Sequence, residues 1–144
     1  MKAIDTNVLV YAQIDGSAHC DRARALIRTL AEGSEPWAIP WPCVYELLRV
    51  VTHPRVFHPP VPLPVALDDL AAIMASPSLL LLAETERHAE VLVELLRASP
   101  VTGNLMHDAH IAALCVVHRV AELVTGDADF ARFSGFRVVN PFRE

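Results

Sequence analysis

The sequence predicts an α/β protein in which a mainly parallel central sheet is flanked by helices. Short apolar runs alternate with longer segments whose apolar residues recur at helical spacing, which is the pattern of βαβ units. The length of 144 residues and the hydrophobic share of 53% suit a single core. We therefore expect one domain that spans residues 1–144.

The first elements are indicated by apolar spacing and by residues that begin or end helices. Residues 3–4 are predicted as the first strand, and residues 7–13 as a short helix. A second helix is expected between Ser17, a suitable N-cap, and Gly33, because apolar residues between them recur at i, i+3, i+4 and i+7. Pro42 is expected at the first position of a third helix, where its missing N–H costs nothing.

A proline-rich stretch separates this helix from the second half of the chain. Five prolines between residues 53 and 64 predict an extended connection, because proline fixes φ and removes a backbone donor. Helices are then expected at 65–75, from Thr85 onward and at 107–118, with strands at 79–82, 122–125 and 137–139. The helix after Thr85 is predicted to face inward with Ala89, Leu92, Val93 and Leu96.

Composition and charge restrict the ligands and the location. The formal net charge of −5 argues against a broad basic face for nucleic acid, but it is compatible with a nuclease whose carboxylates gather at a metal site. Three cysteines without Cys-x-x-Cys spacing indicate neither a disulfide framework nor a zinc site. Reduced thiols fit a cytoplasmic location, and the charged start together with a longest apolar run of only residues 79–83 predicts a soluble chain without a membrane partner.

The strongest functional signal comes from four acidic residues, Asp5, Glu46, Asp108 and Asp127. Asp5 and Asp127 each follow a predicted strand, and the carboxyl ends of parallel strands border the ligand crevice. Asp108 begins a buried helical stripe, so its carboxylate needs compensation from the helix N-terminus or from a cation. For each aspartate, helix capping is the alternative role.

Glu46 has weaker support, because it lies off the apolar stripe of its helix and is expected to be solvated and paired with Arg49.

The three aspartates can converge at one edge of the sheet. Carboxylates so close repel each other unless one is protonated or a cation is bound. Hard oxygen ligands without nearby cysteine favour Mg²⁺, or Mn²⁺, over zinc. Such an ion binds phosphate and activates a water.

The chain resembles the PIN-domain ribonucleases of the VapC toxin type in four segments, which are, in order, Asp5-Thr6-Asn7-Val8-Leu9, the acid Glu46 in the third helix, His107-Asp108-Ala109-His110-Ile111-Ala112 and Thr125-Gly126-Asp127-Ala128-Asp129-Phe130. The resemblance covers essentially the whole chain. It implies a PIN-like three-layer α/β/α fold and the toxin of a type II toxin–antitoxin system. The implied activity is a Mg²⁺-dependent endoribonuclease that hydrolyses RNA phosphodiester bonds with a metal-activated water.

The resemblance also implies roles for single residues and a set of partners. Asp5 and Asp108 would hold the principal ion, with Glu46 and Asp127 completing the site directly or through water, so that all four acids are catalytic metal ligands. The products would carry 5′-phosphate and 3′-hydroxyl ends. Asn7 and Thr125 are candidates to orient Asp5, although both residue types also form turns. The implied partners are single-stranded or loop RNA, a small VapB-like antitoxin and a second copy in a homodimer.

Two other functions remain open from the residues themselves. One is a metal-free ribonuclease with His107 and His110 as acid and base, since histidine titrates near neutrality. Cleavage that survives EDTA would favour it. The other is a non-catalytic, PIN-like interaction module, which a failure to bind Mn²⁺ would favour.

Overall fold

The computed structural model describes residues 1–143. Its strands are β1 (Lys2–Ile4), β2 (Trp37–Pro40), β3 (Leu79–Leu82), β4 (Glu122–Val124) and β5 (Arg137–Val139). Its helices are α1 (Thr6–Gln13), α2 (Cys20–Glu32), α3 (Trp41–Val51), α4 (Leu63–Met74), α5 (His88–Ala98) and α6 (Leu105–Val117), and a short 3₁₀ helix spans Ala128–Arg132.

The five strands form one sheet in the order β3-β2-β1-β4-β5, and each neighbouring pair is parallel. The chain steps from β1 to β2 to β3 in one direction, then crosses to β4 and β5 on the other side of β1. Because crossovers between parallel strands are right-handed, this reversal places α1 to α4 on one face and α5 and α6 on the other. The predicted three-layer α/β/α arrangement is confirmed, and the reversal between β1 and β4 opens the crevice where such sheets bind ligands.

Strand β2 was not predicted, although all four of its residues are buried near the centre of the sheet. Its sequence is short and ends in Pro40, a residue that normally argues against a central strand. Pro40 is the last residue of β2 and the N-cap of α3, so its missing N–H removes no bond from the middle of the ladder. The preceding Trp37 is fully buried and donates from Nε1 to Ser76 Oγ at 3.2 Å.

The residues that were predicted to begin α2, α3 and α5 do not occupy those positions. Helix α2 has His19 at its N-cap, and Ser17 Oγ instead accepts a hydrogen bond from the backbone N–H of His19 at 3.2 Å. Thr85 Oγ1 likewise accepts a hydrogen bond from the backbone N–H of Arg87, and α5 begins at His88, three residues after Thr85. Both hydroxyls close a local turn, which competes with capping. Pro42 is the second residue of α3, because the helix begins at Trp41.

The predicted inward face of α5 was also wrong. The buried side chains are Val91 and Leu95, whereas Ala89 is exposed and Val93 keeps 46% of its surface accessible. Leu92 and Leu96 are only half-buried. Apolar residues occur on almost every side of this helix, so periodicity alone offers two stripes, and the packing of α5 on α6 selects one of them.

The longest described helices, α2 and α6, have 13 residues each. A membrane span requires about 20 predominantly apolar residues in one helix. Within residues 1–143, no helix meets that requirement.

Candidate metal centre

The four acids predicted from the sequence line a single cavity of about 320 Å³, which we call the acid cavity. Asp5 directly follows β1, Asp127 lies between β4 and the 3₁₀ helix, Asp108 is in the first turn of α6, and Glu46 is on α3. The acid cavity therefore lies at the carboxyl ends of β1 and β4, at the reversal in strand order.

Asp5 is the most firmly held of the four, with only 4% of its surface exposed. Its Oδ1 accepts from the backbone N–H of Thr6 at 2.7 Å, which caps α1, and from the thiol of Cys43 at 3.6 Å. Its Oδ2 accepts from Thr125 Oγ1 at 2.8 Å and from Asn7 Nδ2 at 3.2 Å. Burial raises the pKa of Asp5, and these hydrogen bonds oppose the rise. Asp5 therefore caps a helix and lines the acid cavity at the same time.

Thr125 connects the ends of β1 and β4. Its hydroxyl donates to Asp5 and accepts from Asn7 Nδ2 at 2.9 Å and from the backbone N–H of Asp127 at 3.0 Å. Asn7 Oδ1 in turn accepts from the N–H of Gly126 at 3.0 Å. The proposed orienting role of Asn7 and Thr125 thus has a geometric basis, because one hydroxyl fixes both the Asp5 carboxylate and the chain that carries Asp127.

Asp108, Asp127 and Asp129 bring carboxylate oxygens within 4.8 Å of one another. Burial raises the pKa of Asp108 to about 6, and the negative charges of Asp127, Asp5, Asp129 and Glu46 add to the rise. Asp127 Oδ1 accepts from the N–H of Asp129 at 2.8 Å and so caps the 3₁₀ helix. From the sequence, Asp129 is an alternative helix cap or an acid behind the metal ligands; in the structure Asp127 is the cap, and Asp129 lies within the close carboxylate group.

Glu46 is less constrained than Asp5. Its Oε1 lies 3.4 Å from Arg49 Nη2, and 39% of its side chain is exposed. The pairing with Arg49 expected from periodicity is therefore present, while the same side chain lines the acid cavity. Glu46 also borders a second cavity with His107 and His110. It lies at the edge of the acid cavity.

The donor set of the acid cavity fits a hard divalent cation. All four predicted ligands offer carboxylate oxygens, which Mg²⁺ and Mn²⁺ prefer. Cys43 is no competing ligand, because burial and then the charge of Asp5 raise the pKa of its thiol, which donates to Asp5. Burial raises the pKa of both Asp5 and Asp108, the charges of neighbouring acids add to the rise, and a cation would offset both effects.

An aromatic cavity of about 520 Å³ adjoins the acid cavity and shares Asn7, Tyr11 and Asp127 with it. Three rings form a cluster in its wall. Tyr11 meets His19 and Phe142 edge-on at centroid distances of 5.0 and 5.1 Å, and His19 stacks on Phe142 at 4.4 Å. Sequence patterns did not predict this cluster, because its members come from α1, from the start of α2 and from the C-terminal segment.

Solved structures of other proteins share this fold. The toxin VapC20 of Mycobacterium tuberculosis, described as cleaving the sarcin–ricin loop, aligns with a TM-score of 0.65 at 18% identity over 95% of this chain and 99% of that chain. A toxin–antitoxin complex from Klebsiella pneumoniae aligns with a TM-score of 0.62 at 22% identity over the whole of both chains. At these identities the likeness concerns the fold.

Comparisons of sequence find relatives with higher identity than these solved structures. The PIN domain family model matches residues 2–135. Ribonuclease VapC37 of M. tuberculosis is 36% identical over 141 residues, which cover 98% of this chain and 97% of the relative. Ribonuclease VapC43 of the same organism is 35% identical over 142 residues, with 98% and 95% coverage. The chain therefore belongs to the PIN-domain family, among the proteins of the VapC type.

Proposed function

We propose that this chain is a Mg²⁺-dependent endoribonuclease that acts as the toxin of a toxin–antitoxin pair, with Mn²⁺ as an alternative ion. The observation that carries the proposal is the convergence of Asp5, Glu46, Asp108 and Asp127 on one cavity at the switch point of the sheet. Relatives at 30% to 36% identity that are named ribonucleases support RNA as the substrate.

In this proposal Asp5 and Asp108 are the principal metal ligands, and Glu46 and Asp127 complete the site directly or through water. The ion would act as a Lewis acid toward a phosphate oxygen and acidify a water for in-line attack on phosphorus. Thr125 and Asn7 keep Oδ2 of Asp5 in place, while the Thr6 N–H holds Oδ1. This fixed carboxylate needs little reorganisation when the substrate binds.

The aromatic cavity is proposed to receive a nucleotide next to the cleaved phosphate. Aromatic rings stack on bases with little sequence preference, and the cavity wall also offers side-chain amides from Asn7 and Asn140. Because Asn7 and Asp127 border both cavities, a bound strand would pass from the rings to the acids over a short distance. This position suits single-stranded or loop RNA, whose bases are free to stack.

Replacing Phe142 with Leu tests that nucleotide position. Leucine keeps an apolar side chain but removes the ring, and loss of one base–aromatic stack costs about 1–3 kcal/mol. We expect KM for single-stranded RNA to rise by about tenfold with little change in kcat. Tyr45→Leu removes a ring that is 70% exposed outside both cavities and serves as the control. An unchanged KM in a folded Phe142→Leu protein would place the substrate elsewhere.

The metal-free alternative has less support from the geometry. Among the described residues, the lining of the acid cavity includes neither His107 nor His110. His110 Nε2 lies 2.6 Å from Glu84 Oε1, so this ring is already engaged. His107 borders the neighbouring cavity with Glu46 and Arg49.

The proposal extends to partners and location. The fold is shared with a chain from a toxin–antitoxin complex, which supports a small VapB-like antitoxin as a partner. Exposed apolar side chains on α4, Leu63, Val65 and Leu67, support a homodimer.

One sheet holds all five described strands, and this supports residues 1–144 as one domain. An RNA substrate and three buried free thiols support a cytoplasmic location.

Incubation of the purified chain with total RNA tests the proposed activity. Cleavage is expected in Mg²⁺, is expected to stop when EDTA is added, and should return with excess Mg²⁺. Cleavage that continues in EDTA would favour the histidine mechanism. Absence of cleavage together with absence of Mn²⁺ binding in calorimetry would favour a non-catalytic module.

A further inference from the structure

A second group of metal-binding side chains lies outside the acid cavity. Glu84 follows β3, His88 is the first residue of α5, and His110 is on α6. Each offers one ligand atom, and these three atoms lie within 4.8 Å of one another. The shortest contact joins His110 Nε2 to Glu84 Oε1 at 2.6 Å, and the two imidazole rings have centroids 5.5 Å apart.

His88 gives an independent sign that this group is incomplete. Its Nδ1 is buried, and within residues 1–143 it has no hydrogen-bond partner. Buried polar atoms are normally paired, and an unpaired one calls for a ligand, an ion or a water.

We propose that Glu84, His88 and His110 bind a transition-metal ion of the Zn²⁺ class at a site separate from the acid cavity. Imidazole ligands suit zinc, copper and nickel, whereas Mg²⁺ prefers oxygen ligands alone. Two histidines and one glutamate are a known zinc donor set that leaves a fourth position for water or another ligand. The cysteine pattern that argued against a zinc site concerns only cysteine ligands, whereas this group consists of two histidines and a glutamate.

The geometry allows an ion with only a small adjustment. Zinc binds histidine nitrogen and carboxylate oxygen at about 2.0–2.2 Å, so two tetrahedral ligands lie roughly 3.4 Å apart. The contact of 2.6 Å between Glu84 and His110 must therefore widen by a little under an ångström, and half of the Glu84 side chain is exposed and free to move. The carboxylate also offsets part of the charge that an ion brings to the N-terminus of α5.

An ion at this site would tie together the segment after β3, helix α5 and helix α6. Helix α6 also carries Asp108, two residues before His110, on a different side of the helix. Zinc binding is therefore expected to stabilise the layer that supports one wall of the acid cavity, since a ligand that binds only the folded state adds to stability.

The test is a Zn²⁺ titration of the full chain against a chromogenic chelator, carried out in the Asp108→Asn background to weaken competition from the acid cavity. We expect one Zn²⁺ per chain in Asp108→Asn, and at least about tenfold weaker binding when His88→Gln or Glu84→Gln is added. Glu90→Gln, at an exposed position on α5, is the matched control and should leave the affinity unchanged.

Thermal unfolding in EDTA and again in Zn²⁺ provides a second readout. The Asp108→Asn chain should gain thermal stability on addition of Zn²⁺, and the chain that also carries Glu84→Gln should gain much less. Equal affinity in all variants, or no Zn²⁺ binding in any of them, would overturn the proposal. Because neither readout uses RNA, failure of this site and failure of the proposed ribonuclease activity are distinguishable.

Discussion

Replacement of Asp5 with Asn is expected to lower the rate of RNA cleavage in Mg²⁺ by about 100-fold or more. The substitution keeps the size of the side chain but removes the charge of the most buried acid in the cavity. In the wild-type chain Thr125 Oγ1 and Asn7 Nδ2 both donate to Oδ2 of Asp5. The asparagine amide would place a further donor near these two donors. Loss of metal-based charge stabilisation costs several kcal/mol, and about 1.4 kcal/mol corresponds to a factor of ten in rate.

The matched control for this variant is Asp68→Asn, which removes one negative charge from an exposed position on α4. It should cleave at the wild-type rate. Initial rates on one RNA, together with circular dichroism of each protein, separate a chemical effect from a folding defect. A correctly folded Asp5→Asn protein that cleaves at the wild-type rate would remove Asp5 from the mechanism.

Replacement of Asp108 with Asn is expected to stabilise the metal-free protein at neutral pH while it abolishes cleavage. Burial, followed by the charges of Asp127 and Asp5, raises the pKa of Asp108 from 3.8 to about 6. The folded chain therefore binds this proton more tightly than the unfolded chain does. Stability consequently falls as pH rises from about 4 to about 6, and the full cost remains above that window. Asparagine carries no charge and avoids this cost.

The expected gain is modest, because Asp108 is only half-buried and solvent screens part of the repulsion. We expect about 1 kcal/mol at pH 8, which is roughly 3 °C in Tm for a domain of this size. Thermal unfolding in EDTA at pH 8 and pH 4 measures it, and the difference should disappear at pH 4. Added Mg²⁺ should raise the Tm of the wild type only. A variant less stable than wild type at pH 8 in EDTA would contradict the assignment.

Much of the fold follows from local sequence patterns, and the exceptions have physical causes. The alternation of strands and helices is local information, and it correctly predicted a parallel sheet between two layers of helices. Strand β2 was not predicted, because Trp37–Pro40 has only four residues and ends in proline. The inward face of α5 was misplaced because Val93 and Val91 are equally apolar, and only contact with α6 distinguishes them.

In the candidate site, too, some residues follow from local sequence patterns and others depend on the completed fold. Asp5 and Asp127 were predictable because strand ends converge in a parallel sheet. Glu46 required the family resemblance, since its helical periodicity pointed to solvent, and a position at the edge of the acid cavity reconciles the two. Asp129 lies two residues after Asp127 in the sequence, but only the turn that Asp127 caps brings its carboxylate close to Asp108 and Asp127.

The two groups outside the acid cavity could not be read from the sequence at all. Tyr11 and Phe142 lie near opposite ends of the chain, and only the completed fold brings their rings into contact. Glu84 and His88 are close in sequence, but His110 joins them through the packing of α5 on α6. Their chemistry depends on long-range contacts, which hydrophobic periodicity does not encode.

The most direct measurement is end-group analysis of a defined single-stranded RNA after incubation with the wild-type chain in Mg²⁺ and in EDTA. In-line attack by water activated at the acid cavity predicts fragments with 5′-phosphate and 3′-hydroxyl ends in Mg²⁺, and intact RNA in EDTA. Cleavage that persists in EDTA and leaves 2′,3′-cyclic phosphate ends would contradict the metal-dependent mechanism, because those ends arise when the neighbouring 2′-hydroxyl attacks with acid–base help from histidine.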